Sequence, residues 1–136
     1  MKRYSQGFTL IELLVVVAIL GIISAIGVVA YSSYKASAEQ KKAELTLNSI
    51  YLAEEEYKSN NGSYFKSSSA KEISEELFDG KNEDDLNKQS YQFSITVSGD
   101  TFQIKARHKT GSCTLTLNQK NVLEPFFCKL VQLFQI

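Results

Sequence analysis

The sequence predicts an α+β chain in which one long amino-terminal helix packs its second half on a small antiparallel β-sheet of three or four strands. Three observations predict this class. Leu13 to Tyr34 is a run of 22 residues without Asp, Glu, Lys or Arg, helical apolar spacing continues beyond it to Tyr57, and apolar and polar residues alternate strictly from Tyr91. A length of 136 residues suits one core. The 15 basic and 15 acidic residues cancel, so any electrostatic function must come from where the charges sit. One His and two Cys are too few for the four N or S donors of a structural zinc site.

The apolar run, at about 1.5 Å per helical residue, reaches roughly 33 Å, enough to cross a hydrocarbon core of about 30 Å. Lys2 and Arg3 precede it, and the positive-inside rule then holds the amino end in the cytoplasm and sends residues after Lys35 outward. That compartment permits disulfides and suits two cysteines, Cys113 and Cys128. A secretory signal shares the basic start but has an apolar run of only about 7 to 15 residues. Here the run is longer, and a carboxylate, Glu12, stands at its start. An ionised carboxylate beginning a lipid-facing helix costs on the order of 2 to 3 kcal/mol unless a partner neutralises it, which marks Glu12 as functional. Gly21, Ser24, Ala25, Gly27 and Ala30 are small residues among large aliphatics, and Gly21 with Ala25 forms a small-xxx-small step that lets helices approach closely.

Beyond the run, Ala36, Ala43, Leu47, Ile50 and Tyr57 mark an amphipathic stripe, with Lys41, Lys42, Glu44 and Glu55 on other faces. No Gly or Pro interrupts the chain between Val28 and Asn60, and Ser59-Asn60-Asn61-Gly62-Ser63 is a stop signal. A helix from Phe8 to Lys58 would be about 75 Å long. The remaining residues cannot bury it, so its amino half must be covered by lipid or by other copies. Lys66 to Gln89 is polar and acidic, with one short helix: Ser69 and Glu72 match a capping box, Ile73 and Leu77 form an i, i+4 pair, and Asp79-Gly80 ends it. Glu83-Asp84-Asp85 offers oxygen ligands, but its spacing does not fit an EF-hand and a solvated acidic face is favoured.

Period two then takes over. Tyr91, Phe93, Ile95 and Val97 alternate with polar residues, Ser98-Gly99-Asp100 turns the chain, and Phe102, Ile104, Ala106 and His108 alternate again, which is a hairpin. After Thr110-Gly111-Ser112, Cys113, Leu115 and Leu117 give a third strand whose inner face carries the cysteine. His108 has inward parity and is expected to be packed or at a strand end. Pro125-Phe126-Phe127 and the apolar residues 130–136 fit a final strand or a short helix. No nucleophile elbow, phosphate loop or acid–base constellation can be assembled, so neither an enzyme nor a cofactor site is expected. Residues 35–100 hold 8 basic and 13 acidic side chains, whereas 101–136 hold 5 basic and one acidic. Lys105, Arg107 and Lys109 share one strand parity. Such a stripe can contact phosphates of DNA, lie as a solvated sheet face, or meet the acidic segment of another subunit.

MKRYSQG followed by FTLIELLVVVAILGII, closely from Lys2 to about Tyr34, resembles the amino-terminal signature of type IV pilins and related pseudopilins, and Tyr57 to Tyr64 resembles the segment by which pilins leave this helix. The resemblance implies a leader, 1–7, removed after Gly7 by a prepilin peptidase, with N-methylation of the new amino-terminal Phe8. Gly7 presents a bare backbone that a protease can approach. It implies a retained membrane and assembly helix, 8–34, and an extracytoplasmic head, 35–136. The head would divide into the second helix half, 35–60, a connecting loop, 61–90, a β-meander, 91–118, and a carboxy-terminal region, 113–128, closed by a Cys113–Cys128 disulfide, with a tail beyond it. That cross-link would contribute about 3 kcal/mol.

In this family the Phe8 amine of one subunit pairs with the Glu12 of another, and Gly21, Ala25 and Gly27 would serve helix packing. The family commonly places a proline where this chain has Val29, so any local loosening of the helix would rest on Gly21 and Gly27. The implied function is a structural subunit, major or minor, of a type IV pilus used in adhesion, twitching motility or DNA uptake. Its alternatives are a DNA-binding competence pilin using Lys105, Arg107 and Lys109, or a pseudopilin of a type II secretion system. The implied partners are other pilins, the inner membrane before assembly, motor ATPases and an inner-membrane platform, and the implied destination is an extracellular filament.

Overall fold

The computed structural model describes residues 7–126 and Cys128. Residues 1–6, with the cations Lys2 and Arg3, lie outside the described residues, as do Phe127 and the tail from Lys129. The chain divides into two compact units, Met1–Ser37 and Ala38–Ile136.

Helix α1, Leu10–Asn61, is 52 residues long and runs through both units, close to the predicted bounds. In the first unit its described large apolar side chains are all exposed, from Phe8 and Leu10 to Tyr31 and Tyr34. The Ser24 hydroxyl, the polar side chain in the middle of this surface, donates back to the Leu20 carbonyl at 2.7 Å, so it needs no external partner.

In the second unit α1 presents Ala43, Leu47 and Ile50, all fully buried, at steps of four and three. Ala36 is exposed and Tyr57 half-buried, so the inner stripe is shorter than the spacing predicts. Glu54 replaces the next apolar residue on that stripe and is itself buried. The helix ends where Gly62, at φ 78°, turns its N–H onto the Lys58 carbonyl at 2.8 Å. The left-handed conformation of this cap favours glycine.

Two short helices follow, α2 (Ala70–Phe78) and α3 (Glu83–Lys88). The Ser69 side chain makes no capping bond. The Ser67 hydroxyl does that work: it accepts from the Ser69 N–H at 3.0 Å and donates to the Glu72 carboxylate. As predicted, Ile73 is buried and Asp79-Gly80, both at positive φ, close the helix. The acidic triplet forms the first turn of α3, a placement the helix dipole favours. Asp85 meets Lys42 at 2.6 Å and Asp84 meets Lys88 at 3.1 Å.

The sheet is a four-stranded antiparallel meander in sequence order: β1 (Tyr91–Ser98), β2 (Thr101–His108), β3 (Thr114–Asn118) and β4 (Leu123–Phe126). A two-residue turn, Gly99-Asp100, joins β1 to β2, with Gly99 at φ 58°. Phe93, Ile95, Phe102, Ile104, Ala106, Leu115 and Leu117 form the inner face and share one core with the stripe of α1. Phe102 carries two aromatic neighbours, Tyr64 at 4.5 Å and Tyr51 at 5.5 Å between ring centres. The apolar stretch near the carboxy terminus begins as a strand, and Pro125 stands opposite Leu115 in this edge strand, where a missing N–H is tolerated.

His108 closes β2, half-buried, with its ring edge-on to Tyr91 at 4.9 Å and Nε2 3.9 Å from Glu39. A side chain at Gly111 would come within 2.9 Å of the His108 ring and would have to push that ring aside. A packed strand-end histidine is what its parity predicts.

Candidate assembly surface

Three features of the described residues bear on function: the apolar amino-terminal helix with Glu12, the disulfide, and the outer face of the sheet. The first starts with a cap. Thr9 precedes α1, and its backbone N–H and hydroxyl both donate to Glu12 Oε2 at 2.8 Å, while the Glu12 N–H donates to Thr9 Oγ1 at 3.3 Å. This is a reciprocal capping box on the spacing Thr-x-x-Glu, a signal present in the sequence but unused in the reading above. Glu12 therefore caps its own helix while its residue stays exposed. Phe8, Ile11, Glu12, Val15 and Val16 line a shallow hollow of about 330 Å³ beside it. Position 8 is thus adjacent in the chain to the residue that holds Glu12, and one turn from the carboxylate itself.

The helix that follows carries the most apolar window of the chain, with a mean hydropathy of 3.0 and no burial. By length and composition it can cross a membrane. Among the described residues, outside the helix's own backbone and the adjoining positions, nothing lies within 4 Å of the side-chain position of Gly21 or Gly27.

The predicted disulfide is present: Cys113 and Cys128 are bonded, with Cα atoms 4.4 Å apart. Cys113 precedes β3 and receives the Tyr91 hydroxyl at 3.2 Å. Cys128 follows β4 and is buried. The bond ties the end of the edge strand to the start of its neighbour.

On the outer face of the sheet, Lys105 and Arg107 are exposed, in rows with Ser94, Thr116 and Glu124, and with Gln92 and Thr114. Lys109 lies beyond the end of β2, and its ammonium donates to the Asn87 carbonyl at 2.6 Å. The three cations read as a stripe are therefore two on the sheet face and one engaged at the strand end. Among the described residues no group of three or more His, Cys, Asp and Glu side chains could hold a metal ion.

Glu54, one of four buried polar residues among the described ones, has no place in the sequence reading. Glu54 is fully buried; its Oε2 accepts from the Phe65 N–H at 3.0 Å and its Oε1 has no hydrogen-bond partner. Burial pushes this carboxyl up to about 7, the Phe65 bond opposes the rise and the neighbouring Glu55 charge adds to it.

The family model described as the prokaryotic N-terminal methylation motif matches residues 2–28. The type IV major pilin protein PilA of Myxococcus xanthus is 39% identical over 60 residues, covering 44% of this chain and 27% of PilA. The type IV major pilin protein PilE1 of Neisseria gonorrhoeae is 41% identical over 64 residues, 47% of this chain and 39% of PilE1. The fimbrial protein EcpC of Eikenella corrodens is 46% identical over 43 residues, 32% of this chain and 28% of EcpC. The chain thus spans between 27% and 39% of the lengths of these relatives. No solved structure matches it.

Proposed function

We propose that this chain, whose amino terminus matches the methylation motif and whose curated relatives include type IV major pilins, belongs to the type IV pilin family and is a structural subunit of a type IV pilus. The observation that carries the reading is the uncovered apolar helix with one carboxylate at its start. Burying an apolar side chain is worth about 1.5 to 3 kcal/mol. More than a dozen such side chains stand exposed between Phe8 and Tyr34, so the isolated chain leaves a large stabilisation unrealised. Lipid realises it before assembly and neighbouring helices realise it in a filament, where Gly21, Ala25 and Gly27 allow close approach.

Glu12 supplies register. Cleavage after Gly7 creates an α-amine on Phe8, methylated in this family, and an incoming subunit brings that amine to the Glu12 of a subunit already docked. In a medium of low dielectric the two charges attract strongly, and each relieves the other's desolvation. Thr9 satisfies Glu12 in the free chain, so docking exchanges an internal cap for an intermolecular ion pair. The prepilin peptidase, the inner membrane with the amino end on its cytoplasmic side, and the assembly machinery are the partners this route needs. The Cys113–Cys128 bond agrees with a head held outside the cytoplasm. The relatives named as major pilins favour a pilus over a secretion pseudopilin. Adhesion and twitching motility are the roles such a filament would serve.

The test is Glu12→Ala in the producing bacterium. Membrane insertion and removal of the first seven residues, read by mass spectrometry, should be unchanged, and filaments sheared from the surface should be lost. Normal filaments from this variant would remove Glu12 from the mechanism.

A further inference from the structure

Two charged regions of the folded head, a basic one on the sheet and an acidic one beside α1, face different ways. Lys105 and Arg107 project from the outer face of the sheet, the face turned away from α1. Neither is ion-paired among the described residues, and the one carboxylate sharing their rows, Glu124, stands two strands from Lys105. On α1, the stripe Ala43, Leu47, Ile50 and Glu54 faces the sheet, so Glu56, about 200° further round the helix from Glu54, faces away from it. Glu56 lines a cleft of about 400 Å³ together with Asn60, Asn61, Glu76 and Asp79. Leu45 and Leu52, 69% and 67% exposed, lie on the same outer side of the helix.

We propose that the outer sheet face of one head docks on the helix side of the head of a second copy, with Lys105 and Arg107 meeting Glu56 and Glu76. Charge complementarity chooses the occupant. Among the described residues no ion pair joins these cations to these carboxylates, whereas a second copy presents the missing sign to each face. The polar, threonine-bearing sheet face (Thr96, Thr114, Thr116) offers methyl groups to Leu45 and Leu52 as the charges pair. A contact between two different faces is heterologous, and a heterologous contact that does not close into a ring propagates as an open filament. The inference rests on the filament reading and adds to it: the head itself carries polarity for assembly, beside the helix.

The experiment uses the full chain in the producing bacterium. Lys105→Glu with Arg107→Glu, and separately Glu56→Lys with Glu76→Lys, should leave the processed membrane pool intact but lower the sheared filament fraction by roughly tenfold or more, because like charges now face each other. Combining all four substitutions restores complementarity with the signs exchanged, and should return filament yield to near wild type. Wild-type filaments should also become easier to shear at about 1 M salt, where screening acts within about 3 Å.

Doubly reversed variants that assemble normally, or a fourfold variant no better than its parents, would overturn the contact. So would filaments of Lys105→Glu with Arg107→Glu that assemble fully but no longer retain duplex DNA, which would make the sheet face a DNA surface. Failure of the wild-type chain to form filaments would instead fell the filament reading, and this contact with it.

Discussion

Glu54 shows how one residue couples helix, loop and pH. It sits on the inner stripe of α1, and its carboxyl group receives the N–H of Phe65, in the segment that follows the helix. With Oε1 unpartnered, ionisation would leave a buried charge compensated by one hydrogen bond. Burial therefore raises its pKa from the ordinary 4.5 to about 7. The folded state then holds a proton that the unfolded chain has released, so this group's contribution to stability is fully present below about pH 4.5 and is lost as pH rises through about 7. Thermal melting of the full chain in detergent should show this fall, and Glu54→Gln should flatten it relative to wild type. Parallel profiles for the two proteins would show that Glu54 does not titrate in this window. The period of the stripe leads directly from Leu47 and Ile50 to position 54, yet its acidic side chain reads as an outer residue. Its burial depends on a loop that returns from eleven positions later, and local spacing carries no trace of that.

At the scale of elements, the parts with strong periodicity were legible and the short polar ones were not. Both hairpin strands, the third strand and the core parity of Phe93, Ile95, Ile104 and Leu115 follow from alternation alone. Helix α3 has Leu86 as its single buried residue and so no period to detect. The start of α2 was placed correctly on Ser69 but for the wrong bond, because Ser-x-x-Glu identifies a helix start without saying which hydroxyl turns inward. Ser67 is buried and accepts the Ser69 N–H, while its backbone carbonyl receives the Ile95 N–H at 2.7 Å. Ser67→Ala should therefore lower the stability of the chain by about 1 kcal/mol, the usual cost of a lost cap, whereas Ser69→Ala should be nearly neutral. Urea denaturation of the two variants checks the order; the reverse order would return the capping role to Ser69.

Across the whole molecule, the apolar amino-terminal helix was the most legible part, because a charge-free run of that length has few other readings, whereas the cap by which Thr9 answers the carboxylate at its start was overlooked. The carboxy-terminal region was less so: Pro125-Phe126 fits strand or helix until Leu115 and Pro125 are seen to pair, and the apolar residues 130–136 lie outside the described ones. What fastens that edge strand is the cross-link, since β4 is only four residues long and pairs on one side. Cys113 and Cys128 are 15 residues apart, and closing a loop of that size removes enough unfolded-chain entropy to stabilise the fold by about 3 kcal/mol. Replacing both cysteines by serine should lower the unfolding free energy of the full chain in detergent by about that amount. Reductant should reproduce the loss in wild type and do nothing further to the variant. The loss should fall first on the amides of β4, seen as faster hydrogen exchange from Leu123 to Phe126, with β1 and β2 keeping their protection. Equal stability of the oxidised and serine forms would mean that strand pairing and core burial hold the carboxy-terminal region without the bond.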